Sequence, residues 1–238
     1  MELLEKISEN LSFLGICLLI TVALAVLTKL VEKHLIQVRT VTPARRIAIV
    51  AICAAIATVL HVLDFPLPFL APGFYKLDFS EVPVMLCGFY LGPTAAVLCE
   101  AVKIFLKLII KSTSTAFVGD FANFAVGCSM VLPAVIFYHM KKSKTGAVTG
   151  LILGTLVMTV FGSAFNGIYL LPKFAQLYGM PLESIIAAGA QINASISSVT
   201  TFVVLAVAPL NLIKGAAVTV LTLLLYKRVA RPLFGISK

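Results

Sequence analysis

The sequence predicts an all-α integral membrane protein. Of its 238 residues, 60% are hydrophobic and only 12% are charged, against ~45–50% and ~25% in soluble domains. Several apolar runs reach the ~17–25 residues that a helix needs to cross a bilayer. The formal net charge of +9 is concentrated at the ends of these runs. We therefore interpret it as a signature of membrane topology, with the lipid bilayer as partner and no nucleic acid.

Composition also argues against catalysis. The five cysteines lie within apolar runs without a CxxC pair, and the three histidines show no metal-ligand spacing. The sequence motifs of zinc proteases, serine hydrolases and P-loop ATPases are absent. We therefore expect no enzyme, no metal site and no resident cofactor.

Apolar runs and turn signals divide the chain into seven predicted helical segments. The first, 11–31, follows a start that is not basic and precedes no small-residue cleavage site, so we interpret it as a membrane helix rather than a signal peptide. With its basic linker it forms an additional N-terminal unit, residues 1–40, ahead of one membrane domain, residues 41–238. The remaining segments are 47–63, 81–91, 94–111, 117–140, 146–171 and 209–226.

The last of these segments opens with residues that are unusual at membrane depth. Pro209 breaks helices, and Asn211 and Lys214 are three residues apart, so they share one face of a helix that starts near the proline. A charged side chain in the bilayer costs at least ~2.5–3.5 kcal/mol on insertion scales. Lys214 therefore either extends to the membrane surface or faces a partner, water or a ligand.

Other polar residues admit two interpretations each. Glu100 and Lys103 share a helix face, which suits a simple ion pair or a stripe facing an anionic group or another subunit. Asp120 and Asn123 stand at the start of a helix, where they could cap it or line a pocket. Asn166 lies about one turn inside the membrane, where an unpaired amide is costly.

Two connections are longer than simple turns. Residues 64–80 are rich in proline and aromatic residues, and we expect Ser80 to cap the helix that follows. Residues 173–207 form a long excursion with a candidate short helix after Pro181.

Basic residues predict the orientation in the membrane. Placing the linker 39–46 in the cytoplasm also puts the Gly92-Pro93 turn, the basic turn 141–144 and the C-terminus there. The N-terminus, loop 64–80 and excursion 173–207 then lie outside. One outward-facing pocket could hold the polar residues at the outer helix ends, which are Asp78, Asn123, Asn166, Asn211 and Lys214.

Several motifs occur in an ordered set. Residues 77–83 (LDFSEVP) and 88–93 (GFYLGP) resemble the substrate-binding S components of energy-coupling factor (ECF) vitamin transporters. Residues 119–124 (GDFANF), Asn166 and residues 209–215 (PLNLIKG) resemble the riboflavin-specific branch of that family. The resemblance covers roughly 42–231. The family core has six helices, so segment 11–31 departs from the pattern as an additional helix.

The resemblance implies a transport subunit in the cell membrane. Such a subunit captures riboflavin outside with high affinity, joins a transmembrane coupling protein and two cytoplasmic ATP-binding subunits, and tips over in the membrane to release the vitamin inside. Ala51 and Ala55 form a small-residue ridge that by composition suits internal packing or docking, and the resemblance favours docking to the coupling protein. An S component for another vitamin and a self-powered secondary transporter are the alternatives.

Flavin chemistry suits the same residues. The ring ends in an imide edge that presents acceptor, donor and acceptor, and an asparagine amide can pair with such an edge. By the resemblance, the ring-binding positions are Asn166, Asn211 and Lys214. We expect Tyr75 and Asp78 to meet the ribityl chain or close the pocket, and Asn123 to contribute to the pocket. The apolar loop residues Leu77, Phe79 and Phe74 would cover the ring.

Overall fold

The computed structural model describes residues 11–113 and 115–234, and these are mainly helical. In chain order the helices are α1 (Leu11–His34), α2 (Pro43–Val62), α3 (Glu81–Leu91), α4 (Pro93–Ile110), α5 (Val118–Met140), α6 (Lys144–Phe165), α7 (Leu171–Tyr178), α8 (Leu182–Ala190), α9 (Val199–Phe202) and α10 (Ala208–Phe234). Two π-helical turns, Asn166–Leu170 and Val203–Val207, connect α6 to α7 and α9 to α10. Strands β1 (Phe65–Pro66) and β2 (Lys76–Leu77) pair antiparallel in the loop after α2, a small departure from the predicted all-α class.

Membrane-spanning character is clear for part of the bundle. Within the described residues, four helices are long and apolar enough to cross a bilayer: Pro43–Val62, Val118–Met140, Lys144–Tyr178 and Val199–Tyr226. Helix α3 is apolar but has only eleven residues, and α4 contains Glu100, Lys103 and Lys107. The chain is thus a multi-pass membrane protein, whereas the full set of seven spanning segments stays a prediction.

The last long helix begins ten residues earlier than the sequence predicts. Pro209 does not open it, because helical structure runs from Val199 through the π-turn Val203–Val207 into α10. A proline lacks the backbone N–H and crowds the carbonyl four residues before it. Here that carbonyl lies in the π-turn, whose wider hydrogen-bonding pattern accommodates the ring. The predicted excursion 173–207 is correspondingly mostly helical.

Ser80 does not cap α3 as predicted. Its backbone is already helical and its side chain makes no capping hydrogen bond. Instead, Ser80 Oγ accepts a hydrogen bond from Lys103 Nζ at 3.0 Å. Serine is a favoured helix cap, but here its hydroxyl is the partner of a buried lysine, which would be costly to leave without one.

The main core lies among α2, α3, α4, α5, α6 and α10. Helices α5 and α6 approach most closely at glycines: a methyl group added at Gly150 would lie 2.7 Å from the Ala134 carbonyl oxygen. Such contact between backbones is the usual role of small residues in membrane helix pairs.

The basic connections gather at one end of the bundle. Glu32, near the end of α1, accepts a hydrogen bond from the backbone N–H of Thr94 at 2.8 Å. In the linker, the Gln37 carbonyl oxygen accepts one from Lys142 Nζ at 2.6 Å. The linker, the Gly92-Pro93 turn and the turn before α6 thus meet, as the predicted topology requires. The polar cavity lies at the opposite end, near Asp64.

Candidate ligand-binding site

A cavity of about 320 Å³ opens at the end of the bundle away from the basic linker. Its walls come from the end of α2 and the loop after it, the end of α4, the start of α5, both π-turns, α7 and α10. This volume is at the lower end of the ~300–1,000 Å³ typical of small-molecule sites. Of the residues predicted to bind ligand, seven line it: Phe74, Tyr75, Asp78, Asn123, Asn166, Asn211 and Lys214.

Leu77 and Phe79 are not part of this lining. Successive side chains of a strand point to opposite sides, so Lys76 and Asp78 face the cavity while Leu77 is buried on the other side. Phe79 packs against the main core, with its ring centroid 5.8 Å from that of Phe65. Their predicted place over a bound ring does not match this arrangement.

The asparagine side chains differ in how they are satisfied. Tyr75 donates its hydroxyl to Asn166 Oδ1 at 2.7 Å, and Asn166 Nδ2 donates to the Gly162 carbonyl oxygen at 2.8 Å. Asn123 Nδ2 donates to the Gly119 carbonyl oxygen at 3.0 Å. Asn211 Nδ2, by contrast, is buried and has no hydrogen-bond partner among the described residues. A buried donor left unsatisfied costs about 1–3 kcal/mol. Asn211 is therefore a candidate to form a hydrogen bond with a bound ligand.

Lys214 is held by carboxylates rather than extended to the membrane surface. Its Nζ lies 3.1 Å from Asp78 Oδ2 and 3.1 Å from Glu81 Oε2. Asp78 Oδ1 also accepts a hydrogen bond from the backbone N–H of Ser80 at 2.8 Å, and His61 Nδ1 lies 3.4 Å from Oδ2. Burial works to raise the pKa of the Asp78 carboxyl, but the Lys214 charge and His61 together hold that pKa well below its usual range.

A second lysine extends this network into the bundle. Lys103 is fully buried and contacts Glu100, and its Nζ lies 3.5 Å from Glu81 Oε1. Glu81 therefore bridges the two lysines, one at each carboxylate oxygen. Of the two interpretations of Glu100 and Lys103, the structure supports the intrachain ion pair. Buried charges require such partners because leaving one uncompensated costs about 3–5 kcal/mol.

Ion pairs also surround the mouth of the cavity. Lys107 contacts Asp120, so Asp120 serves in an ion pair between α4 and α5. Asp64 accepts from Lys76 at 3.1 Å and lies 3.5 Å from Lys111. Lys103 and Lys107 of α4, and Lys111 directly after it, therefore each have a carboxylate partner within the chain.

Sequence reasoning missed His61 and Glu81 as members of this site. His61 is isolated in the sequence, and Glu81 reads as an ordinary acidic residue in the first turn of a helix. Both acquire their role from Asp78 and Lys214, which are 136 positions apart. No spacing rule within one helix could have detected a contact of that separation.

Together, the apolar bundle and its end-on polar cavity define a multi-pass membrane protein built to bind a small molecule. Residues 45–226 match the family described as "ECF transporter, substrate-specific component", and the chain belongs to that family. The family confirms the predicted class, a substrate-binding transport subunit rather than an enzyme. Helix α1 precedes the matched residues.

Relatives and a solved structure agree with this assignment. The chain is 37% identical over 186 residues to the riboflavin transporter RibU of Staphylococcus aureus, covering 78% of this chain and 90% of that protein. It is 33% identical over 183 residues to the riboflavin transporter FmnP of Bacillus subtilis, covering 76% and 90%. A structure described as "Structure and mechanism of the S component of a bacterial ECF transporter" superposes with a TM-score of 0.62 at 35% identity, over 80% of this chain and 98% of that one.

Proposed function

We propose that this protein captures riboflavin at the outer face of the cell membrane and takes it up together with an ATP-driven ECF module. The observation that carries the proposal is Asn211, which lines a cavity of ligand size and whose buried Nδ2 has no hydrogen-bond partner among the residues that the structure describes. The names of the two relatives at 33% identity or more support riboflavin as the ligand.

The cavity has both components that a flavin requires. Asn211 lines the cavity with an amide whose buried Nδ2 has no partner in the described part of the chain, and Asn166 offers an amide whose oxygen now accepts from Tyr75. An incoming imide edge can use the first directly and the second by displacing or sharing the tyrosine hydroxyl. The apolar lining that would contact the flat ring consists of Phe74, Val126, Leu170, Phe174, Val207 and Leu210.

Lys214 acts in this proposal mainly by holding the loop. Its Nζ donates to Asp78 and forms an ion pair with Glu81, which leaves donor capacity for a ring carbonyl or a ribityl hydroxyl. Asp78, whose oxygens are already engaged, anchors the end of the loop more than it contacts ligand. Tyr75, from the same loop, then closes over the cavity through Asn166.

The magnitudes fit tight binding. Burying ~300 Å² of apolar ring at ~25 cal/mol/Å² contributes roughly 7 kcal/mol. Neutral hydrogen bonds add ~0.5–1.5 kcal/mol each and charge-assisted ones ~1.5–3 kcal/mol, while ordering of ligand and side chains subtracts several. Nanomolar affinity needs about 12 kcal/mol, so the apolar slot and the polar edge are both necessary.

Orientation and partners complete the proposal. The C-terminus and the basic linker lie in the cytoplasm, and the N-terminus and the cavity mouth lie outside. Residues 1–40 form an additional membrane helix and linker, and residues 41–238 form the six-helix vitamin-binding domain. Riboflavin is cargo, with no resident cofactor. A transmembrane coupling protein and two ATP-binding subunits supply the energy.

The docking face we propose for the coupling protein is on α2. Ala51 and Ala55 are exposed on this helix, beside Ile52 and Ile56, so their small side chains leave a flat ridge for a partner helix. Ala51→Leu with Ala55→Leu should preserve riboflavin binding and abolish ATP-driven uptake in vesicles that contain the coupling module. The control is Ala164→Leu, on the exposed face of α6. Normal uptake by the α2 variant would reject this docking face.

Riboflavin fluorescence tests the binding function. Titration of the protein in detergent should quench the fluorescence with nanomolar affinity, and Asn211→Ala should weaken binding ten-fold or more. Asn193→Ala, which alters an exposed asparagine outside the cavity, is the matched control and should bind as the unaltered protein does. Absence of quenching by the unaltered protein would reject riboflavin, and binding of another vitamin in the same assay would identify the alternative.

A further inference from the structure

The two cavity amides, Asn166 and Asn211, meet at a single residue of α6. The Gly162 carbonyl oxygen accepts the side-chain Nδ2 of Asn166 at 2.8 Å and also the backbone N–H of Asn166. On the other side, a methyl group added at Gly162 would lie 2.9 Å from Asn211 Nδ2 and 3.6 Å from Asn211 Cγ. Gly162 itself does not line the cavity.

These contacts fix the amides in different ways. Asn166 is held by an acceptor on the Gly162 backbone, whereas Asn211 can lie against that backbone only because no side chain is present. A contact of 2.9 Å is closer than real methyl groups tolerate without movement. The obstacle would be the buried amide itself, so a larger residue must displace the Asn211 donor from its place.

We propose that Gly162 is a positioning residue that sets the separation of the Asn166 and Asn211 amides and thereby matches them to one polar edge of the ligand. The inference rests on the proposed function, because it assigns both amides to the same ligand. Gly162 touches no ligand and acts through Asn211. An added methyl 2.9 Å from Asn211 Nδ2 must push that group away by roughly 0.5 Å, which is enough to stretch an ideal N–H···O hydrogen bond beyond its normal range of about 2.7–3.2 Å.

The test is Gly162→Ala, measured by riboflavin titration and by thermal unfolding of the ligand-free protein. We expect the affinity to fall ten-fold or more. The matched control is Gly167→Ala, five residues after Gly162 in the same continuous helical region, where an added methyl meets only Val203 Cγ2, at 3.2 Å, and Val199 Cγ1, at 3.8 Å. This control should bind riboflavin within two-fold of the unaltered protein.

A double-variant cycle separates positioning from a general effect on folding. Once Asn211→Ala has removed the amide, adding Gly162→Ala should cause less than a two-fold further loss, since the group it displaces is gone. Additive losses, or normal affinity of Gly162→Ala alone, would overturn the proposal. If Gly162→Ala fails to fold, the double variant should fold again, and its failure would likewise overturn it. Lack of binding by the unaltered protein would instead reject the proposed function.

Discussion

Replacing Lys214 by glutamine tests the charge network beneath the cavity. Lys214→Gln keeps most of the side-chain volume but removes the cation that contacts Asp78 and Glu81, each at 3.1 Å. The carboxylates are then left with Lys103, which lies 3.5 Å from Glu81 and also contacts Glu100. Three buried carboxylates would share one lysine.

The expected loss follows from burial. Removing one partner of a buried ion pair costs about 3–5 kcal/mol, and because Lys214 reaches the cavity we expect the lower end, about 3 kcal/mol. By the scaling of soluble domains of 150–250 residues, ~2–4 °C per kcal/mol, the unfolding midpoint should fall by about 6–12 °C. The assay is thermal unfolding of the ligand-free protein in detergent.

Lys111→Gln is the matched control. Its side chain is 47% exposed and lies 3.5 Å from Asp64, so its loss should cost less than about 1 kcal/mol. If Lys214→Gln unfolds at the same temperature as Lys111→Gln, the network does not stabilise the fold as argued. Adding Asp78→Asn to Lys214→Gln should recover stability. If riboflavin affinity recovers with it, Lys214 acts by holding the loop; if affinity stays low, Lys214 also donates to the ligand.

Two further predictions concern single hydrogen bonds. Tyr75→Phe removes the hydroxyl that donates to Asn166 Oδ1 at 2.7 Å. Riboflavin affinity should change by up to about ten-fold, and the unfolding midpoint should stay nearly the same. A loss of folding would show that the loop has a structural role instead. Glu32→Ala removes the acceptor for the Thr94 backbone N–H at the start of α4 and should destabilise the protein by about 0.5–2 kcal/mol, the usual value of a helix cap. Lys33→Ala, at an exposed position, should unfold at the unaltered temperature, and equal midpoints for the two variants would contradict the role of Glu32.

Part of the site was accessible from the sequence because the residues are chemically out of place. Burying an amide or a lysine in an apolar run costs free energy unless the group finds a polar partner, and this applies to Asn211 and Lys214. Their helical spacing puts them on one face, and charge asymmetry assigns that face to one end of the bundle. Seven of the nine predicted ligand-binding residues accordingly line the same cavity. Leu77 and Phe79 do not, because hydrophobic residues in a loop give no signal of the side to which they point.

Hydrophobicity and spacing are local properties of the chain, so the helical membrane class and the polar residues that need partners could be predicted from them, and the ordered motifs indicated the family. Which partners those residues have depends on the packing of the helices. Lys214 pairs with Asp78 across 136 positions, and Tyr75 with Asn166 across 91. The tertiary structure also decided that α10 continues a helix begun at Val199, and that Asn211 Nδ2, unlike Nδ2 of Asn123 and Asn166, has no hydrogen-bond partner within 11–113 and 115–234. Those outcomes depend on how separate helices pack, which no local pattern encodes.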